Sequence, residues 1–223
     1  MKIAVLFRGP LRPNIKSVTD RVNEFLWQFH KRGIRLHTYL ATWRNYRDQK
    51  ASNLLAMDLF DNVIMQTQPT LEWINSNCTP ITQIKNTAPV EHAFWMYYQS
   101  KLAIDLIHAA DKYDYIIHTR TDMRMTIDSK MQEWFVPDTY VAVHTHREPF
   151  TTDKDAWMND QFGIAPAHIM QQAWDYGDMK NLGRLLEQAD IPDRVLQRMI
   201  DSKGIKFKSA PYDEWILDPT RAS

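Results

Sequence analysis

Residues 2 to 9 read Lys2-Ile3-Ala4-Val5-Leu6-Phe7-Arg8-Gly9. The apolar run over residues 2 to 7, stopped by Gly9 and Pro10, is what a strand buried on both faces of a parallel sheet requires. Such a strand needs helices on either side, and the next segment supplies one. Ile15, Val18, Val22, Phe25, Leu26 and Phe29 recur at spacings of three and four, an apolar stripe along a helix that Gly33 ends.

The same alternation continues outward. Ile34 to Leu40 reads as a second strand and Asn62 to Gln66 as a third, with a polar, partly helical connection between them. Residues 68 to 89 carry Pro69, Pro80 and Pro89 among Asn and Thr, the composition of a surface excursion without regular structure. A long helix is expected from about Val90 to Ala110, with Val90, Phe94, Tyr97, Leu102, Leu106 and Ala109 on one face. Strands follow at Tyr115 to Thr119, Tyr140 to His144 and Ile205 to Lys208, with helices near 166 to 176, 181 to 189 and 192 to 203. Pro192 and Gly204 suit the start and end of the last helix. Strands alternating with helices predict an α/β/α sandwich with a mostly parallel central sheet.

At 223 residues one elaborated domain is expected, over 1 to 218, with a short tail at 219 to 223. Two parts are expected within it, about 1 to 125 and about 126 to 218. A hydrophobic fraction of 44% supports a core without covalent staples. Basic and acidic residues both number 27, so no global field draws the chain to nucleic acid or an anionic membrane. Cys78 is the only cysteine, which rules out an intrachain disulfide and suits a reducing compartment. The opening Met1 to Phe7 is too short for a signal peptide, and no apolar stretch approaches the roughly 18 residues of a membrane span. A soluble, cytoplasmic protein is therefore expected.

Ligands of open α/β sheets sit beyond the carboxyl ends of the parallel strands, which directs attention to Arg8 to Arg12, Ala41 to Arg44 and Arg120 to Arg124. In the last, the buried strand runs directly into charge: His118, Arg120 and Asp122 alternate onto one side, so a cation on Asp122 and a phosphate on Arg120 could share a pocket. The competing reading is an Arg–Asp pair closing a loop. Arg8, Gly9 and Arg12 offer two guanidiniums and a flexible glycine to a diphosphate, although neither a dinucleotide fingerprint nor a P-loop is present. Thr42 and Trp43 follow the second strand, and Trp43 could stack a base. Gln99 and Lys101 interrupt the aromatic-rich helix and could reach the crevice, or face solvent. Asn159-Asp160-Gln161-Phe162-Gly163 reads as a turn presenting Asp160, a carboxylate able to act as general base toward a hydroxyl. His144 and His146 could bind a transition metal but have no adjacent acidic or thiol partner.

These residues resemble glycosyltransferases of the GT-A fold, in particular the WavE type of lipopolysaccharide synthesis enzyme and its bacterial and viral relatives. The resemblance is piecewise, over Lys2 to Arg12, His37 to Trp43, Trp95 to Leu106, Tyr113 to Arg124 and Asn159 to Ile169. It implies that Arg120-Thr121-Asp122 stands where the family's short acidic motif holds Mn or Mg against the donor's two phosphates. Asp122 would then be the metal ligand, with Arg120 in the place of the first acidic residue. It further implies that Arg8, Gly9 and Arg12 line the nucleotide pocket, Trp43 borders the base, Gln99 and Lys101 approach the donor, and Asp160 meets the reacting sugar. The expected activity is transfer of a hexose, glucose by first choice, from a UDP-sugar to a glycan or other hydroxyl acceptor. A viral source would place this in the host cytoplasm. The rival reading is a nucleotide-sugar or glycan-binding module without turnover.

Overall fold

The computed structural model describes residues 1–9, 11, 15–44, 58–78, 90–127, 131–144, 158–189, 193–209 and 214–217. The elements are β1 (Ile3–Arg8), α1 (Ile15–His30), β2 (Leu36–Trp43), β3 (Asn62–Gln66), α2 (Leu71–Asn77), α3 (Val90–Ala109), β4 (Tyr115–Arg120), β5 (Met123–Thr126), β6 (Thr139–His144), β7 (Met158–Pro166), α4 (Ala167–Trp174), α5 (Met179–Gln188), α6 (Asp193–Ser202), β8 (Lys206–Ser209) and β9 (Glu214–Leu217). Among the described residues, seven strands form one sheet in the order β3-β2-β1-β4-β7-β6-β8, and β5 and β9 form a separate antiparallel ribbon. Within the sheet β1–β2, β1–β4, β2–β3 and β6–β8 are parallel, while β7 runs antiparallel to both β4 and β6. This is the mostly parallel α/β sandwich expected from the sequence.

Alternation along β1 divides the core. Ile3, Val5 and Phe7 pack with Val18, Val22, Phe25 and Phe29 of α1 on one face. Ala4 and Leu6 pack on the other face, with Phe94, Tyr97, Ile104 and Ile107 of α3 and with the apolar sides of α4, α5 and α6. Each fully buried Ile or Leu contributes about 1.5–3 kcal/mol, so both layers hold the sheet. The buried stripe of α3 runs through Tyr97, Ser100, Ile104 and Ile107, and Leu106, expected on the core face, is instead 57% exposed.

Three further expectations are corrected. The excursion at 68 to 89 contains α2, whose N-cap Thr70 accepts from the Trp73 amide at 3.1 Å; a capping threonine after Pro69 stabilises a first turn that composition hides. Residues 79 to 89 lie outside the described residues. The segment around Asp160 is strand β7 and not a turn, because its backbone closes the gap between β4 and β6. The second strand continues to Trp43, paired with Gln66 of β3. No helix among the described residues is long and apolar enough to cross a membrane. Pro192 and the tail at 219 to 223 lie outside the described residues.

Candidate functional site

Register brings the charged ends of β1 and β4 together. Leu6 pairs with His118 and Arg8 with Arg120, so these side chains share the face covered by α3 and α4. The chain continues past both strands in contact. The Thr121 amide donates to the Arg8 carbonyl at 3.1 Å, and the Gly9 amide donates to the Ala41 carbonyl at 3.0 Å. Gly9 has φ of +113°, a backbone shape that favours glycine, and a Cβ there would meet Thr121 Oγ1 only at ordinary contact distance.

Arg8 is only 4% exposed. Its Nε donates to His118 Nε2 at 2.8 Å and its Nη2 to the Asp160 carbonyl at 2.8 Å, with the Asp160 carboxylate 4.0 Å away. Burial pushes the guanidinium down to about 10; Asp160 opposes the shift and Arg120 adds to it, and the group stays cationic at neutral pH. His118 is fully buried and held well below its usual value, first by burial and then by the charges of Arg8 and Arg120. Because its Nε2 accepts from Arg8, the ring proton belongs on Nδ1, which has no hydrogen-bond partner among the described residues. Ser100 Oγ lies 3.3 Å from the same Nε2, and the Trp174 ring lies 4.3 Å from the imidazole.

Arg120 and Asp122 form a two-pronged pair: Nε donates to Oδ1 at 2.7 Å and Nη2 to Oδ2 at 2.6 Å. The turn carrying them is fixed from α1, where buried Arg21 donates through Nε to the Thr121 carbonyl at 2.9 Å. Asp160 is buried at 4% exposure beside Arg8. A slip in register between Ala142–Gly163 and His144–Met158 inserts extra residues into β7 at this point; bulges of this kind re-aim side chains beside functional sites.

The other expected residues are placed as follows. Trp43 is buried at 4% exposure at the end of β2, one strand removed from Arg8. Gln99 is 2% exposed, and its Nε2 has no hydrogen-bond partner among the described residues. Lys101 binds Asp105 Oδ2 at 2.6 Å and Asp175 Oδ1 at 3.2 Å. Burial works against its charge, but the hydrogen bonds and charges of these two carboxylates outweigh it and hold the ammonium above its usual value. Arg12 and His146 lie outside the described residues. Sequence reasoning did not assign roles to His118, Ser100, Tyr140 or Trp174. For His118 the alternation with Arg120 was a usable signal, whereas nothing local marks Trp174 as its neighbour.

Both oxygens of Asp122 accept from the Arg120 guanidinium, so a divalent cation held by Asp122 would stand against that positive charge unless the pair opened. Among the described residues no group of three acidic, histidine or cysteine side chains could hold a metal ion, and a cation there would draw its remaining ligands from water and substrate oxygens.

No family model and no curated protein matches the chain. One solved structure that resembles it is the catalytic domain of Drosophila beta1,4-galactosyltransferase 7 in complex with xylobiose, at 11% identity and a TM-score of 0.45. The alignment covers 93% of this chain and 64% of that one. Likeness this slight brings neither an activity nor a ligand with it.

Proposed function

We propose that this protein is a glycosyltransferase that moves a hexose, with glucose the first donor to test, from a UDP-sugar to a hydroxyl acceptor. The reading includes kinship with the WavE type. The observation that carries it is the pairing of Arg8 with Arg120 at the carboxyl ends of adjacent parallel strands, with the Asp160 carboxylate beside Arg8. Two guanidiniums on one face suit a diphosphate, whose negative charge grows as it leaves.

In this reading Arg8, Arg12 and Arg120 bind the phosphates, while Gly9 and Thr121 let the backbone approach them. Trp43 borders the base, and Gln99 and Lys101 lie on the donor side. The bond between the anomeric carbon and the diphosphate oxygen breaks, and its electron pair leaves with UDP. The acceptor oxygen bonds to that carbon, and its proton passes to Asp160. Mn or Mg at Asp122 belonged to the expected picture; Asp122 would have to leave the Arg120 fork to hold it, and no step is assigned to a metal.

Asp160→Asn tests the assignment. It should lower kcat by about a hundredfold or more with little change in nucleotide affinity. Unchanged turnover removes Asp160 from the mechanism. One observation favours the binding module: Arg120 stands in the first acidic place and holds Asp122. Tight UDP binding with no release from any sugar donor would decide for that reading.

A further inference from the structure

The same turn carries a prediction about how the anion is held, which rests on the function proposed above. We infer that Asp122 is an internal stand-in for a phosphate of the donor: it occupies the fork of Arg120 while the site is empty and yields that fork to the diphosphate, without a divalent cation.

Carboxylate and phosphate present the same two-oxygen edge to a guanidinium. The Arg120–Asp122 geometry, with both contacts at 2.7 Å or less, is that of a filled anion site whose anion is supplied two residues along the chain. The turn is held by groups other than this pair, through the Thr121 amide on the Arg8 carbonyl and Arg21 on the Thr121 carbonyl. The backbone of the turn therefore does not depend on the Arg120–Asp122 contact.

Charge points the same way. Arg8 and Arg120 are register partners on one face, and the charge of Arg120 lowers the pKa of Arg8. A carboxylate relieves that repulsion with a single negative charge, and a diphosphate relieves it with more. Each of these guanidiniums has a carboxylate against it, Asp160 at 4.0 Å from Arg8 and Asp122 at 2.6 Å from Arg120. A diphosphate that displaced Asp122 would meet both guanidiniums directly.

A metal ligand and a stand-in respond oppositely to mutation. The test is calorimetric titration of UDP into the full chain, in chelator and in Mn, for the wild type, Asp122→Asn, Asp122→Ala and Arg120→Ala. Circular dichroism checks that each variant is folded, and the two Asp122 variants guard against failure of either one. The expected result is wild-type binding in chelator, about tenfold tighter binding by the Asp122 variants, and about hundredfold weaker binding by Arg120→Ala. Binding that needs Mn and is lost on removing Asp122 overturns the inference and makes Asp122 a metal ligand. Affinity unchanged in both Asp122 variants overturns it as well. Absence of UDP binding by every form, with or without Mn, removes the nucleotide reading itself.

Discussion

Gly163 lies in register with His118 of β4 and Ala142 of β6. A Cβ added there would stand 2.1 Å from Tyr140 Oη, 2.5 Å from Cζ and 3.0 Å from Cε1. Gly163 is not one of the glycines with positive φ, which are Gly9, Gly33, Gly177 and Gly204, so alanine there costs packing and not backbone strain. Tyr140 is fully buried and accepts from Trp174 Nε1 at 3.3 Å. Its ring must retreat by roughly an ångström to restore ordinary contact, against the tryptophan that lies on His118. Overpacking of this kind costs about 3 kcal/mol. Urea unfolding followed by tryptophan fluorescence should show that loss for Gly163→Ala. In a Tyr140→Ala background the obstacle is gone and the same change should cost less than about 1 kcal/mol, a coupling of about 2 kcal/mol or more. A Gly163→Ala protein within about 0.5 kcal/mol of the wild type, or an equal cost in both backgrounds, refutes the reasoning.

His118 predicts a pH dependence of stability. Its folded pKa is depressed, so above about 6.5 neither state is protonated, while below it only the unfolded chain takes up the proton. Stability should therefore fall by about 1.4 kcal/mol per pH unit from 6.5 down to the lower folded value, beyond what the other groups contribute. His118→Gln keeps an acceptor for Arg8 and should remove that slope; a profile identical to the wild type contradicts the burial of a neutral imidazole. Gln28 of α1 donates to the Met125 carbonyl at 2.8 Å and accepts from the Ile127 amide at 2.6 Å. Gln28→Leu strands both backbone groups and should cost about 3 kcal/mol, read by thermal or urea unfolding, and a neutral effect shows that β5 finds other partners.

The sequence carried the parallel half of the sheet because β1 is buried on both faces and reads as a nearly unbroken apolar run, and β2 and β4 keep apolar residues through their buried stretches. It concealed β7, where Asn159, Asp160 and Gln161 imitate a turn and Gly163 looks like punctuation. That glycine is instead the space occupied by the Tyr140 phenol. The β5–β9 ribbon joins residues some ninety positions apart, Met123 with Leu217, and has no local signal. At the site, Arg8, Arg120 and Asp122 were nameable from strand ends and alternation, whereas Asp160 was named from a segment misread as a turn. What Asp122 faces was not, since a carboxylate two residues after an arginine reads the same whether it meets a metal or that guanidinium. Trp174 and Tyr140 enter the site through tertiary packing alone.

The most direct measurement is release of UDP from a panel of UDP-sugars, beginning with UDP-glucose, without acceptor and in parallel with Mn, Mg and chelator. Release from one donor, persisting in chelator, is the predicted result. No release from any donor, together with no binding of UDP, would contradict the assignment of this site to nucleotide-sugar chemistry.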